Sequence, residues 1–204
     1  MPLASAASFA VLGGSTVTST GFTILDGNLG VFPGTSITGF GPGVVKHGAI
    51  YAGGSVAAQA QADLATGYNF AAGLQNPTAL PIDIGGTTIT PGLYNAVTTL
   101  AISGTATLDG QNNPNSLFIF QIPSTLTSGV NSRVKLINQA NGCNVFWQVG
   151  TSATLNEGAT FRGTIMSADS ISVSSGVRVR GRLLAESGGV TLIDDRILEY
   201  HLNK

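Results

Sequence analysis

Seven short segments of the chain set small, mostly hydroxylated residues on both sides of one apolar residue. They are Thr16-Val17-Thr18, Ser36-Ile37-Thr38, Thr99-Leu100-Ala101, Thr125-Leu126-Thr127, Thr154-Leu155-Asn156, Ser172-Val173-Ser174 and Gly189-Val190-Thr191. Successive side chains of a strand point to opposite faces, so the central Val, Leu or Ile is predicted to enter a core while its neighbours face water. Threonine offers such a surface a methyl group and a hydroxyl, both held in place by a stiff β-branched χ1. No Lys, Arg, Asp or Glu occupies either flanking position of the seven.

Groups suited to acid–base chemistry are few. Asp169, Glu186, Asp194 and Asp195 lie near Arg178, Arg180, Arg182 and Arg196 in sequence. Paired carboxylates could hydrolyse a glycoside, and carboxylates with a basic residue could serve a lyase. The plainer expectation is a salt-bridged cap protecting a sheet edge. His47 and His201 are far apart and neither accompanies a ligand cluster, so no metal site is expected. No Ser sits in a GxSxG elbow, and no phosphate-binding loop or calcium-binding nonapeptide repeat is present. The expectation is a non-catalytic chain with no cofactor.

The elements that would carry the hydroxyls form a repeat. A glycine corner leads into a strand at Asp26-Gly27-Asn28-Leu29-Gly30-Val31, His47-Gly48-Ala49-Ile50-Tyr51-Ala52, Arg162-Gly163-Thr164-Ile165-Met166-Ser167 and Arg180-Gly181-Arg182-Leu183-Leu184-Ala185. The segments from Asn115 to Phe120 and from Gly142 to Trp147 read as the same strand behind longer loops. Glycines follow five of the hydroxyl triplets, at Gly21, Gly104, Gly129, Gly158 and Gly176, as sharp corners require. Both elements recur in one order, which predicts the coils of a β-solenoid. From Ser55 to Leu74 the spacing changes to three and four, with Val56, Ala60, Leu64, Gly67, Ala71 and Leu74 on one face, predicting a helix capped by Ser55 and ended near Gly73 and Pro77. A row just past the corners, Thr23, Thr105, Asn131, Thr160 and Arg178, is a rival outward surface, weakened by its arginine.

Composition narrows the function classes. Charged residues form 9% of the 204, against about 25% in an ordinary domain. A net charge of −1 gives no overall basic footprint, so no nucleic-acid or membrane partner is expected and a monomer is. The mean hydropathy of +0.29 comes without the roughly 18 uninterrupted apolar residues of a membrane span. Cys143 has no second cysteine to pair with and is expected to be a buried small hydrophobe. The start, Met1-Pro2-Leu3-Ala4-Ser5, has no basic or apolar leader and reads as a mature terminus behind an added Met.

The opening Ala7-Ser8-Phe9-Ala10-Val11-Leu12-Gly13-Gly14-Ser15-Thr16-Val17-Thr18, the segment Gly27-Asn28-Leu29-Gly30-Val31-Phe32-Pro33-Gly34 and the Ala-rich helix together resemble the microbial ice-binding proteins. Pro91-Gly92-Leu93-Tyr94, Asn144-Val145-Phe146-Trp147-Gln148-Val149 and Gly163-Thr164-Ile165 are also similar to the family pattern, and the resemblance runs from Leu3 to about Leu198. It implies a mainly β fold, a right-handed parallel β-solenoid with N-terminal coils over 1–54, a flanking helix over 55–74 and C-terminal coils over 76–198, stacked out of sequence order in a single domain. It implies secretion and an ice crystal surface as the partner. Some members carry a capping insertion before the helix; here Val44-Val45-Lys46-His47-Gly48 leads almost directly to Ser55, so that cap is minimal.

Ice asks for a flat, regular and moderately apolar surface, because strongly hydrated ions hold water in arrangements that conflict with the lattice. Rungs about 4.8 Å apart and residues i and i+2 about 6.5–7 Å apart supply a two-column array. The candidate ice-binding set is Thr16, Thr18, Ser36, Thr38, Thr99, Thr125, Thr127, Thr154, Asn156, Ser172, Ser174 and Thr191. The rival in a different class is a cell-surface adhesin or carbohydrate-binding solenoid, disfavoured by an aromatic content of 7% placed mostly in apolar runs.

Overall fold

The computed structural model describes residues 1–198, so His201 lies outside the described residues. Corners, several of them at glycine, divide the coils into three strands, and the strands pair in parallel with their counterparts in the next coil. The coils therefore build a three-sided prism.

The first side, the hydroxyl face, is a seven-stranded sheet. From one end it runs through the strands Leu100–Ile102, Leu126–Ser128, Ala153–Leu155, Ile171–Val173, Val190–Ile193, Thr16–Thr20 and Ser36–Thr38. The second side runs through Thr88–Ile89, Thr105–Asp109, Arg133–Ile137, the first halves of Thr160–Ser167 and Arg178–Ala185, then Arg196–Leu198, Ile24–Asp26 and Val44–Lys46. The third, the helix face, holds Gly92–Asn95, Phe118–Ile122, Val145–Val149, the second halves of those two long strands, Phe9–Gly13, Asn28–Val31 and Ile50–Ala52. At the bend of the long strands Gly163 pairs with Gly181. A Cβ on Gly181 would lie 1.8 Å from the Gly163 carbonyl oxygen at φ +143, so only glycine turns this corner.

Coil order is discontinuous, as the resemblance implied. The C-terminal strand Val190–Ile193 pairs with Thr16–Thr20 near the N-terminus, and Arg196–Leu198 pairs with Ile24–Asp26. The helix, Gly54–Ala72, returns the chain from one end of the stack to the other along about 28 Å of the third face. Its N-cap is Gly53 rather than the expected Ser55, and no side chain caps it, because the chain turns into the helix at Gly53 and Gly54, both at positive φ, which sets the cap two residues earlier. Ala57, Ala60, Leu64, Gly67 and Ala71 are buried against the sheet, whereas Val56 is exposed, so the buried stripe runs through Ala57 instead. A Cβ on Gly67 would meet Leu3 at 2.8 Å, and the N-terminal segment wedges in there. Gln121 donates from Nε2 to the carbonyls of Ala71 at 2.8 Å and Leu74 at 3.0 Å, satisfying the helix C-terminus from the sheet below.

Inside the prism the inward columns of all three faces meet in one core. It includes a stack of Tyr94, Phe120 and Trp147, with the Phe120 and Trp147 rings 4.0 Å apart and 10° from parallel. A second apolar layer, with Phe9, Leu12, Ile119, Phe146, Met166 and Leu184, lies between sheet and helix. Cys143 is half-buried rather than fully buried, because it sits in a corner turn outside the strand. The stack ends on Ser36–Thr38, Val44–Lys46 and Ile50–Ala52, strands that pair on one side only and are largely exposed.

Candidate functional site, an uncharged hydroxyl face

The register of the seven-stranded sheet fixes which side chains align. Its central outward column is Ala101, Thr127, Thr154, Ser172, Thr191, Thr18 and Thr38. To one side stand Thr99, Thr125, Ser152, Ser170, Gly189, Thr16 and Ser36, each one residue before the inward column that runs from Leu100 to Ile37. To the other side stand Gly129, Asn156, Ser174, Ile193 and Thr20.

Two of the seven triplets therefore sit differently from the expectation. Leu126 pairs with Ala153 and not Leu155, so Thr154 and Ser172 join the central column beside Thr127. Asn156 and Ser174 move out to a third column, and Ser152 and Ser170, absent from the candidate set, take their places in the first. A slip of one residue would turn a strand inside out, but a slip of two keeps every side chain on its face. Alternation alone is blind to that second shift. The missed signal was the pair of overlapping triplets Ser152-Ala153-Thr154 and Ser170-Ile171-Ser172, which fit the pattern equally well.

The hydroxyls of the array are mostly unused by the protein. Thr18 and Thr191 approach within 3.4 Å across one rung. Among the described residues, the side chains of Thr16, Ser36, Thr38, Thr99, Thr125, Thr127, Thr154 and Ser172 have no hydrogen-bond partner, and each is exposed or half-buried. They are left to bond water. Asn156 differs: its amide donates to the Ser128 carbonyl at 2.7 Å, which turns the side chain back onto the corner. The sequence pattern predicts columns free of charge, but a bridge from Asp83 to Ala101 adds a carboxylate at the end of the central one. The Ser103 hydroxyl, with the backbone N–H groups of Gly85 and Ser103, holds the Asp83 carboxyl below its ordinary pKa. Over the seven strands themselves no charge intervenes.

The other candidate groups are dispersed. Of the rival row, Thr23 is buried and bonded to Ser19, and Asn131 is a turn residue at φ +55, its expected register place being taken by Arg133. Arg133, Thr160, Arg178 and Arg196 form a column on the second face, so a net charge near zero hides one strongly basic side. The acidic cap does not form. Arg178, Arg180 and Arg196 make no ion pair with Asp169, Glu186, Asp194 or Asp195 among the described residues, and out-of-order stacking places their strands inside the stack rather than at its end. Arg182 instead donates from Nε to the Ala7 carbonyl at 2.7 Å.

Asp195 is fully buried and accepts from the N–H groups of Ile193 at 2.7 Å and Val177 at 2.9 Å. Burial pushes its carboxyl up to about 7 despite those bonds. Burial also raises Glu186. His47 pairs with Asp26 at 2.8 Å, and among the described residues no three His, Cys, Asp or Glu side chains come together to hold a metal ion. No described helix is long and apolar enough to cross a membrane.

Known proteins share this architecture. An ice-binding protein from Nostoc sp. (strain HG1) is 45% identical over 197 residues, covering 96% of this chain and 72% of that protein. The crystal structure of an ice-binding protein from an Antarctic biological consortium superposes with a TM-score of 0.94 at 40% identity, covering 97% of this chain and 90% of that one. An ice-binding protein of the Antarctic ascomycete Antarctomyces psychrotrophicus gives 0.92 at 32% identity, with 96% of each chain covered. The Ice-binding-like family profile matches residues 11–198, and this chain belongs to that family.

Proposed function

We propose that the chain adsorbs to ice through the hydroxyl face and thereby slows ice growth and recrystallisation. The observation that carries this reading is the in-register central column, seven rungs of Ala, Thr and Ser in which the hydroxyls of Thr127, Thr154, Ser172 and Thr38 make no hydrogen bond within the protein and those of Thr18 and Thr191 meet only each other. Rungs about 4.8 Å apart and columns about 7 Å apart form a rigid grid, so little conformational freedom is lost when water orders on it. The methyl groups favour contact with an ordered water layer and the hydroxyls anchor it. A charged group in the grid would hold its own hydration shell against the lattice.

Adsorption needs no bond to form or break, and the reading assigns the chain no catalytic step, metal or cofactor. It is proposed to act outside the cell as a secreted monomer. Thermal hysteresis and ice-crystal shape, measured before and after dialysis against a chelator, test the reading. Faceted crystals and a hysteresis gap that survive dialysis support it. Ice that grows as in buffer would overturn it, and activity restored only by added calcium would overturn the metal-free part.

A further inference from the structure

The second face of the prism carries a groove of about 670 Å³ lined by Arg133, Lys135, Arg162, Arg178, Arg180 and Arg196. These are six of the nine Lys and Arg residues in the whole chain, so the clustering is far from an even spread. Register stacks them: Arg178 pairs with Arg196, and Arg162 with Arg180, while Thr160 stands between Arg133 and Arg178. Arg133 to Arg196 spans about 14 Å along the prism, and the strip is about 7 Å wide. Like charges directly opposite each other on neighbouring strands destabilise a sheet. None of the six makes an ion pair with a carboxylate among the described residues. At the rim Asp194 shares a small depression with Phe22, Arg178 and Arg196 and makes no ion pair there, and Asp26, beside Leu198 on the next strand, pairs with His47.

We propose that this groove binds a linear acidic polysaccharide, with its carboxylates lying along the columns of guanidinium groups. Five of the six cations are arginines, whose planar forks match a carboxylate in a bidentate manner. The strip is straight and two residues wide, which suits a thin chain carrying charge along one line. Single-stranded nucleic acid is bound elsewhere by aromatic platforms on which bases stack, and no aromatic side chain lines this groove. The hydroxyl face is a separate side of the prism, so a chain held by its basic side to an anionic matrix keeps that face open. This inference does not depend on the hydroxyl face binding ice.

Titration of the full chain with alginate oligosaccharides, at low salt and at about 0.5 M NaCl, tests the proposal. Binding is expected at low salt and is lost at high salt, and neutral dextran does not bind. The R178Q/R180Q variant should bind alginate about tenfold more weakly or worse, and R133Q/K135Q, on a neighbouring strand, should do likewise. Melting curves confirm that each variant folds, and ice-crystal shape reports separately on the other face. The proposal is overturned if alginate does not bind at low salt, if both folded variants bind as well as the parent, or if oligothymidylate binds more tightly than alginate.

Discussion

Ser172 stands at the fourth of seven rungs in the central column, with Ala101, Thr127 and Thr154 on one side and Thr191, Thr18 and Thr38 on the other. It is exposed, and its neighbours Ile171 and Val173 carry the core contacts of that strand. In Ser172→Tyr the phenol ring stands out by about 4 Å, a full van der Waals contact, from a surface otherwise flat. The column spans about 29 Å from first rung to last, and each uninterrupted half spans only about 10 Å. A rigid ice plane held off at the centre can lie on one half at most. Apolar contact scales with area, so thermal hysteresis should fall to about a third of the parent value or lower. Stability should change by less than about 0.5 kcal/mol, because the substitution is on the surface. Nanolitre osmometry and a melting curve on the same sample separate the two effects. Thr105→Tyr, exposed on the second face, is the control and should keep full activity. Full hysteresis in Ser172→Tyr together with its loss in Thr105→Tyr would show that the second face meets ice.

Ser152→Tyr, in the first column at a position the sequence pattern passed over, should also lower hysteresis with an unchanged melting temperature; an unaffected variant would confine the contact to the central column. Gly181→Ala should destabilise the fold by about 3 kcal/mol or more, since its Cβ would collide with the Gly163 carbonyl at a φ that favours glycine, and a melting temperature within about 2 °C of the parent would contradict the packing at that corner. Asp195 gives a pH dependence of known sign: its folded pKa of about 7 lies above the unfolded value, so its contribution to stability is full below about pH 4 and is lost as pH rises through 7. Melting temperature should therefore decline between those limits, and Asp195→Asn should flatten the decline; an unchanged slope in the variant would assign the titration elsewhere.

The repeat was legible because a solenoid writes the same local instructions in every coil. Gly163 and Gly181, eighteen residues apart in sequence, are partners in the sheet, and the strand behind each was visible from its alternation. The helix was legible because its spacing departs from that alternation, although its cap was not, since Gly53 and Gly54 start it through backbone conformation and Ser55 had the right chemistry in the wrong place. Two features were hidden for a physical reason. Strand periodicity fixes which face a residue occupies and leaves its column open to a two-residue slip, which moved Asn156 and Ser174 and concealed Ser152 and Ser170. Stacking order depends on which end coils meet, and the pairing of Val190 with Val17 has no local signal. The misreading of Arg178, Arg180 and Arg196 as an end cap followed from that second blindness, since near the end of a chain and near the end of a stack are different places here.

The same stacking explains how so poorly charged a chain can keep a charge-free face and still carry its cations. Each coil crosses all three sides of the prism, so any side can differ in chemistry from the others while sharing their rung spacing. On one side Thr and Ser repeat and charge is confined to Asp83 beyond the last rung. On the next, arginines occupy the equivalent outward positions of adjacent coils. The third is apolar under the helix, where Leu12, Met166 and Leu184 take the outward places. A polar substitution therefore has a different meaning on each side although the backbone around it is nearly the same. Thr191 and Arg196 lie five residues apart in one coil, and a charge is absent from the first position and repeated around the second. That segregation within single coils, repeated rung after rung, is what a propensity for Thr in strands does not account for.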